Sequence, residues 1–379
     1  MKENVNEDDN IFFNGTWVPV MKISCKYNNG IYSESSIVRG VITVNGQVVA
    51  CGTDRGEIYV HSLETGKRIL SLEKVGIKRG ELCRGINDIK SDVSGNLLAA
   101  CFSPGIIRIY DLRIRTEKSG SLLGSTVFEL ENTHKGACTS ISVPNNWLYQ
   151  PIYTGGYDGY IRSWDFRKKG CISQVLSHEA PVISLEKSND ERILSSTSFD
   201  NKIRIWRSSN LKLLKTLSGP QGSSYSLHSI FSFNDEYLLC TGNSSSCIWR
   251  FGQERINKTN ISWANSDKIQ KDYLNGCTSD THENNLLPMF TGFSIIWRDQ
   301  VFVPRANPTV TAIGDASVYC LHTAKYLYSL ESVSPPSSII TSISKHPSLN
   351  NNLIVTTSSL PESSIVLWKF SYDGNSEYE

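Results

Sequence analysis

The sequence predicts an all-β protein built from one short unit used repeatedly. The first observation is a spacing that returns. Thr154 to Phe166 reads Thr-Gly-Gly-Tyr-Asp-Gly-Tyr-Ile-Arg-Ser-Trp-Asp-Phe, and Ser196 to Arg207 reads Ser-Thr-Ser-Phe-Asp-Asn-Lys-Ile-Arg-Ile-Trp-Arg. In each, a Ser or Thr precedes a turn Asp by four residues and a Trp follows it by six. Self-similarity at fixed spacing is the mark of repeat architecture. The second observation is a succession of short strand-like runs separated by turn residues from Ile37 onward. The third is length: 379 residues is long for one compact domain, unless the core grows by adding units.

Composition narrows the class. Hydrophobic residues make up 39%, aromatic 10% and charged 20%, values of an ordinary globular protein. A formal charge of +1 creates no global field toward nucleic acid or acidic lipid. Ten cysteines are scattered, with no C-x-x-C pair, and read as small buried hydrophobes of a reducing compartment. Met1 to Asn10 is acidic and polar, unlike a signal peptide, and no apolar run approaches membrane length. The expectation is an intracellular protein of cytoplasm or nucleus with no membrane partner. Triplets such as Asn14-Gly-Thr and Asn257-Lys-Thr are then chance matches to a glycosylation signal.

The units follow in order. Residues 1–11 read as a disordered tail. Trp17 to Ile23 is a strand with no hairpin partner beside it. Unit one comprises Val38–Val44, Gln47–Gly52, Glu57–His61 and Lys67–Leu72. Unit two comprises Ile86–Lys90, Asn96–Ser103 and Ile106–Leu112. Units three and four contain the two quoted segments, with outer strands Cys171–Leu176 and Leu213–Leu217. Unit five has Leu227–Phe233, Tyr237–Gly242 and Cys247-Ile248-Trp249. Residues 264–285 are polar and read as an insertion. Phe290–Val303 is apolar again, either an inner strand of the next unit or the remains of an eighth. Unit six has Thr309–Ile313, Val318–His322 and Tyr326–Leu330, and the last has Ile339–Ser344, Leu353–Ser358 and Ser364–Phe370.

The last unit lacks an outer strand, since 371–379 is a polar tail, and the first strand lacks a unit. The economical solution joins them, so that the N-terminal strand completes the last sheet and closes a ring without exposed edges. One domain over 12–370 with seven units is expected. Region 251–308 leaves six or eight open.

These residues resemble the Trp-Asp (WD) repeat family of β-propellers over about 37–370, most clearly in units three and four. His134, Thr154, Asp158 and Trp164 match its signature, as do His178, Ser196, Asp200 and Trp206. The resemblance implies a hydrogen-bonded network of these four side chains in each blade. Buried polar groups are tolerated when so paired, and deleting one member costs roughly 1–3 kcal/mol. Other units depart: unit one has Asp54 with Val60-His61, unit two Pro104 with Tyr110-Asp111, unit five Asn243 with Trp249-Arg250. Unit six has Thr311, Asp315 and Leu321-His322, and unit seven Ser358, Glu362 and Trp368-Lys369. The span 180–251, with Leu214-Lys215-Thr216-Leu217 and Ser223-Ser224-Tyr225, is similar to single-domain scaffold propellers of histone methyltransferase and MAP-kinase complexes.

Catalytic motifs are missing: there is no Gly-x-Ser-x-Gly elbow, phosphate loop or dinucleotide fingerprint, and Glu64-Thr65-Gly66-Lys67 is a turn between strands. His, Ser/Thr and Asp do recur together, but a nucleophile site would occur once, whereas this trio occurs in two adjacent units. His61, His228, His282, His322 and His346 show no metal spacing. Lys168-Lys169, Lys212 and Lys215 form no basic stripe, so direct nucleic-acid binding is not expected. No cofactor is implied.

In a propeller the residue before each turn Asp sits at the mouth of the central channel. Here it is Tyr157, Phe199, Thr53 (followed by Arg55) and Gly314. The resemblance implies that aromatics at this position can grip an arginine side chain. Two alternatives stand for Tyr157 and Phe199, peptide binding or plain packing of the turns. The expected function is a non-catalytic scaffold, a monomeric propeller that binds peptide segments of other proteins within a larger complex. The competing expectation is a WD-repeat hydrolase of the diphthine methylesterase type, whose blades the run Tyr153–Arg167 loosely resembles.

Overall fold

The computed structural model describes residues 15–24, 37–43, 47–72, 84–92, 94–103, 105–118, 121–145, 150–165, 167–168, 170–218, 228–232, 234–241, 245–251, 256–262, 295–298, 300–304, 316–320, 326–330, 340–345, 352–358 and 363–372. Every regular element among them is a strand, and the strands run as antiparallel four-stranded meanders. The first meander is β2 to β5 (Ile37–Ile42, Val48–Thr53, Ile58–Ser62, Arg68–Leu72) and the second β6 to β9 (Arg84–Ser91, Leu97–Ser103, Ile106–Lys118, Ser121–Leu130). The third is β10 to β13 (Cys138–Ser142, Ile152–Gly156, Tyr160–Asp165, Gly170–Leu176) and the fourth β14 to β17 (Val182–Lys187, Ile193–Ser198, Lys202–Arg207, Lys212–Ser218). The fifth is β18 to β21 (His228–Phe231, Tyr237–Thr241, Ser245–Phe251, Ile256–Ser262) and the sixth β22 to β25 (Ile295–Trp297, Gln300–Pro304, Ala316–Cys320, Tyr326–Leu330). The last is β26 to β28 (Ile340–Lys345, Leu353–Ser358, Ser364–Tyr372), completed by β1 (Gly15–Ser24).

Hydrogen bonding groups these strands into six sheets, five of four strands and one of eight. Six lies within the range the sequence left open, below the favoured seven. The difference has a local cause. β8 and β9 continue past the second meander as a long hairpin, pairing Arg115 with Gly124 out to Lys118 with Ser121. There β9 pairs in parallel with β5, Ser71 to Leu123 and Leu72 to Gly124, and so fuses the first two meanders edge to edge.

The N-terminal strand does close the ring. β1 pairs antiparallel with β28 from Gly15↔Tyr372 to Ser24↔Ser364, with one irregularity between Pro19 and Met21. Proline cannot donate to the ladder and is tolerated on an edge strand or at a bulge. Trp17 anchors the strand. Its indole donates to Gln300 Oε1 at 3.3 Å and its ring meets Phe302 edge-on at 5.6 Å and Phe370 at 5.3 Å. One side chain of β1 thus joins the last meander to the sixth.

The first strand of each meander packs against the first strand of the next, and the series returns from β26 to β2. That return is hydrogen-bonded: the Ile42 amide donates to Ser344 Oγ at 3.2 Å, and the Ser342 hydroxyl to the Gly40 carbonyl at 3.4 Å. Apolar clusters fill the spaces between sheets, for example Ile58, Ile86, Ile89 and Phe102 between the first and second meanders. The pairing of third with fourth strand shifts register at Val60/His61, Ile109/Tyr110, Ser163/Trp164, Ile205/Trp206 and Val318/Tyr319. A bulge raises local twist, and these five outer strands share it, whereas β21 pairs with β20 without a shift.

Three strand expectations need correction. Phe290–Val303 supplies both β22 and β23, not a single inner strand and not an eighth unit, while Thr309–Ile313 lies outside the described residues. Outer strand β21 went unread because Ile256–Ser262 is polar, without apolar alternation. β9 was likewise unassigned in unit two. Residues 1–11, 264–285 and 373–379 lie outside the described residues, and β28 continues to Tyr372. The described cysteines carry no disulfide: Cys51, Cys101, Cys138 and Cys240 are buried and Cys171 is exposed.

Trp17→Ala should lower unfolding free energy by about 3–5 kcal/mol, the cost of removing a large aromatic from a packed site. Urea titration measures this, and a loss below about 1 kcal/mol would show that Trp17 does not hold the closure.

Candidate functional site

The turns between second and third strands gather on one face. In the third meander, Tyr157-Asp158-Gly159 follows β11, with Gly159 at φ 74°. A Cβ at Gly159 would lie 2.3 Å from the His178 carbonyl oxygen, so close approach of the chain demands glycine there. The fourth meander uses Asn201 at φ 57°, a residue that tolerates this region. The Tyr157 amide donates to the Ala137 carbonyl at 2.9 Å and the Phe199 amide to the Pro181 carbonyl at 3.3 Å. Each turn is therefore tied to the loop that enters its own meander.

On this anchored backbone the two aromatic rings face solvent, Tyr157 at 63% exposure and Phe199 at 43%. Tyr157 stands beside Gly136, where an added Cβ would come within 3.6 Å of the tyrosine Cβ. Thr53 differs. It is 1% exposed, and its hydroxyl closes its own turn, accepting from the Glu57 amide at 3.1 Å. The expectation that Thr53 presents a binding group is corrected on that ground, while Arg55 beside it is exposed. Gly314 lies outside the described residues.

Beneath the rings lie two four-membered networks. Trp164 Nε1 donates to Thr154 Oγ1 at 2.8 Å, Thr154 Oγ1 is 2.8 Å from His134 Nε2, and His134 Nδ1 is 2.9 Å from Asp158 Oδ1. In the next meander Trp206 Nε1 donates to Ser196 Oγ at 2.8 Å, which is 2.8 Å from His178 Nε2, with Nδ1 3.0 Å from Asp200 Oδ2. The indole N–H donates to the hydroxyl, whose own proton is then available to Nε2, while each Nδ1 faces both the carboxylate and an arginine Nη1, 2.6 Å away in the third meander and 2.7 Å in the fourth. Both imidazoles have no exposed surface. The chain order matches a hydrolase relay, but Thr154 and Ser196 are fully buried, so neither hydroxyl can meet a substrate.

Two members were overlooked at sequence level. Arg162 Nη1 donates to Asp158 Oδ2 at 2.8 Å and Arg204 Nη1 to Asp200 Oδ2 at 3.1 Å. Each lies directly across the β-ladder from the network hydroxyl, Thr154↔Arg162 and Ser196↔Arg204. The signal was present as Ile-Arg two residues before each Trp. The last meander carries a remnant: Trp368 Nε1 donates to Thr356 Oγ1 at 2.9 Å. Ser358, expected in that role, bonds Ser364 instead at 2.9 Å. The register explains the correction, because Thr356 lies across from Val366, two residues before the Trp, as in the complete networks.

Burial holds both imidazoles below the ordinary histidine value, outweighing the opposite pull of Asp158 and Asp200. Burial opposes ionisation of the two aspartates, yet hydrogen bonds led by those from His134 and His178 hold both carboxyls below their usual value. Burial also lowers His61, and pushes His228 down to about 3. A shallow concavity of about 540 Å³ opens beside the third-meander network, edged by Lys135, Gln174 and Cys171. Among the described residues no group of three His, Cys, Asp or Glu is placed to hold a metal.

Thr154→Val leaves the Trp164 and His134 nitrogens without their partner and should cost about 1–3 kcal/mol. An unchanged denaturation midpoint would contradict the network. The depressed imidazoles also set a pH dependence. Above pH about 6.5 both folded and unfolded histidines are neutral and the stability is fully present. Below it the unfolded chain takes up protons that buried His134, His178, His61 and His228 refuse, so the melting temperature should fall as pH drops from about 6.5 toward 4. The lowered aspartates add to the loss below about 4. A flat melting profile over that range would refute the neutral buried assignment.

Residues 41–251, more than half of the chain, match the family described as Nucleolar protein 10-like, N-terminal domain. A ribosome biogenesis protein WDR12 homolog of Trichoplax adhaerens is 24% identical over 162 residues, 42% of this chain and 34% of that protein. Human striatin is 30% identical over 125 residues, 33% of this chain and 14% of that protein. Human diphthine methyltransferase is 35% identical over 74 residues, 19% of this chain and 16% of that protein. Each match spans about a third or less of the relative's length. The repeated blades, the closing strand and the family match together establish the class: this chain is a WD-repeat β-propeller and belongs to the nucleolar protein 10-like N-terminal domain family.

Proposed function

We propose that this propeller is a non-catalytic scaffold whose turn face binds peptide segments of other proteins. The observation that carries the proposal is the pair Tyr157 and Phe199, exposed at 63% and 43% on backbone anchored by hydrogen bonds. Exposed aromatics held rigidly lose little entropy on binding and are the side chains that dominate interface energetics. Arg55, exposed on the equivalent turn of the first meander, supplies a polar rim. The propeller acts as a monomer within a larger complex and makes no direct contact with nucleic acid. The family's description and the naming of one relative as a ribosome biogenesis protein support a nuclear assembly of that kind.

A hydrolase reading rests on the similarity to diphthine methyltransferase over 74 residues and on the relay order of the networks. The burial of Thr154 and Ser196 argues against it.

The test is affinity capture with wild type beside Tyr157→Ala/Phe199→Ala, with melting temperatures measured in parallel. The double variant should melt as wild type does and lose a defined subset of captured proteins. An unchanged set at equal stability would overturn the binding face. Methyl-ester hydrolysis by purified protein should not exceed the buffer rate, and turnover abolished by His134→Ala but not by Tyr157→Ala would favour the enzyme.

A further inference from the structure

The concavity beside the third-meander network carries chemistry that the network does not need. Its volume is about 540 Å³ and its lining includes Lys135, Gly136, Arg162, Trp164, Cys171 and Gln174, with no Asp or Glu among the described residues that form it. Arg162 is held in place there. Its Nη1 donates to Asp158 Oδ2 at 2.8 Å, its Nε to Gln174 Oε1 at 3.1 Å, and its guanidinium lies over the Tyr160 ring at 4.8 Å. Among the described residues Nη2 finds no acceptor. With Oε1 accepting, the Gln174 amide NH2 is a second unused donor among them.

Lys135 adds a charge without a counterpart. Its backbone amide donates to Asp158 Oδ2 at 3.0 Å, but its exposed ammonium pairs with no described carboxylate. Asp158 is already occupied by Arg162, by the Lys135 amide and by the Tyr160 amide at 3.2 Å. The fourth meander is an internal comparison. Its network is the same, yet Glu179 follows His178 where Lys135 follows His134, and Thr216 lies across from Arg204 where Gln174 lies across from Arg162. The network therefore forms without either Lys135 or Gln174. The cleft also adjoins the turn face: Gly136 lines it, and a Cβ built on Gly136 would lie 3.6 Å from the Tyr157 Cβ. A shallow opening of this kind suits one side chain of a longer segment, since small ligands are held in enclosing pockets.

We propose that this cleft receives a carboxylate side chain, Glu or Asp, of a bound peptide segment. Lys135 pairs with the carboxylate, and Arg162 Nη2 and the Gln174 amide donate to it. A guanidinium already fixed by its neighbours loses little freedom in doing so. This rests on the reading of the turn face as a peptide site, and it specifies what that face selects: an acidic segment.

The test is fluorescence anisotropy of a fluorescein-labelled octapeptide of alternating Glu and Ala, beside Gln-Ala and phosphoserine-Ala octapeptides. Occupancy is read independently as slowed N-ethylmaleimide alkylation of Cys171, exposed on the cleft, by mass spectrometry of its peptide. Wild type should bind the Glu-Ala peptide saturably, more weakly as sodium chloride screens the pairing, and the peptide should protect Cys171. The Gln-Ala peptide should do neither. Lys135→Glu copies the fourth meander, so it should melt as wild type does and bind about tenfold more weakly, the loss of one charge-assisted contact. Lys135→Arg should retain binding. Equal affinity in Lys135→Glu and wild type, or binding of the phosphoserine peptide alone, would overturn the proposal. In Tyr157→Ala/Phe199→Ala the Glu-Ala peptide should still protect Cys171. Protection kept there with an unchanged set of captured proteins would sink the aromatic face and leave the cleft standing. Captured proteins lost there, with no protection of Cys171 in wild type, would sink the cleft alone.

Discussion

The pairing of β1 with β28 is the constraint on which the remaining structure depends. An unclosed stack of meanders has two open ends, each exposing the apolar face of a sheet, and its last sheet would lack an outer strand. Here the strand nearest the N-terminus completes the sheet nearest the C-terminus over nine paired positions, and Trp17 carries the contact on to Gln300 and Phe302. Because β26 then meets β2, every inner strand has a neighbour on both sides.

Polar networks recur inside the third and fourth meanders. Each joins the loop entering a meander, through His134 or His178, to its second and third strands. Arg162 and Arg204 add a charged brace on the same aspartates. The turns they hold are the ones that display Tyr157 and Phe199, so a rigid interior serves an exposed exterior. Where the network is lost, as around Thr53, the turn closes on itself through Glu57 and its side chain is withdrawn from the surface.

Legibility varied with the physical origin of each feature. Strands with period-two alternation, such as β12 and β16, were readable because one face is more deeply buried than the other. β21 was not, because Ile256–Ser262 gains its place from pairing with β20 rather than from apolar residues of its own. Of the site, the position of Tyr157 and Phe199 was readable from turn spacing, but their exposure was not. By ladder register Thr53 matches Gly156 and Ser198, all buried, and exposed Asp54 holds the position of Tyr157 and Phe199, an offset that counting back from a turn Asp does not show.

Local chemistry in the sequence by itself determined that this protein is all-β, repetitive and ring-closing, since turn residues, period two and an orphan first strand are properties of neighbours along the chain. Tertiary structure alone decided the rest. The fusion of two meanders through β5 and β9, the choice of Thr356 over Ser358 as partner of Trp368, and the pairing of Lys90 with Glu186 all join residues that are not neighbours along the chain. Register and ring closure set those distances, and neither is written in the spacing of any one unit.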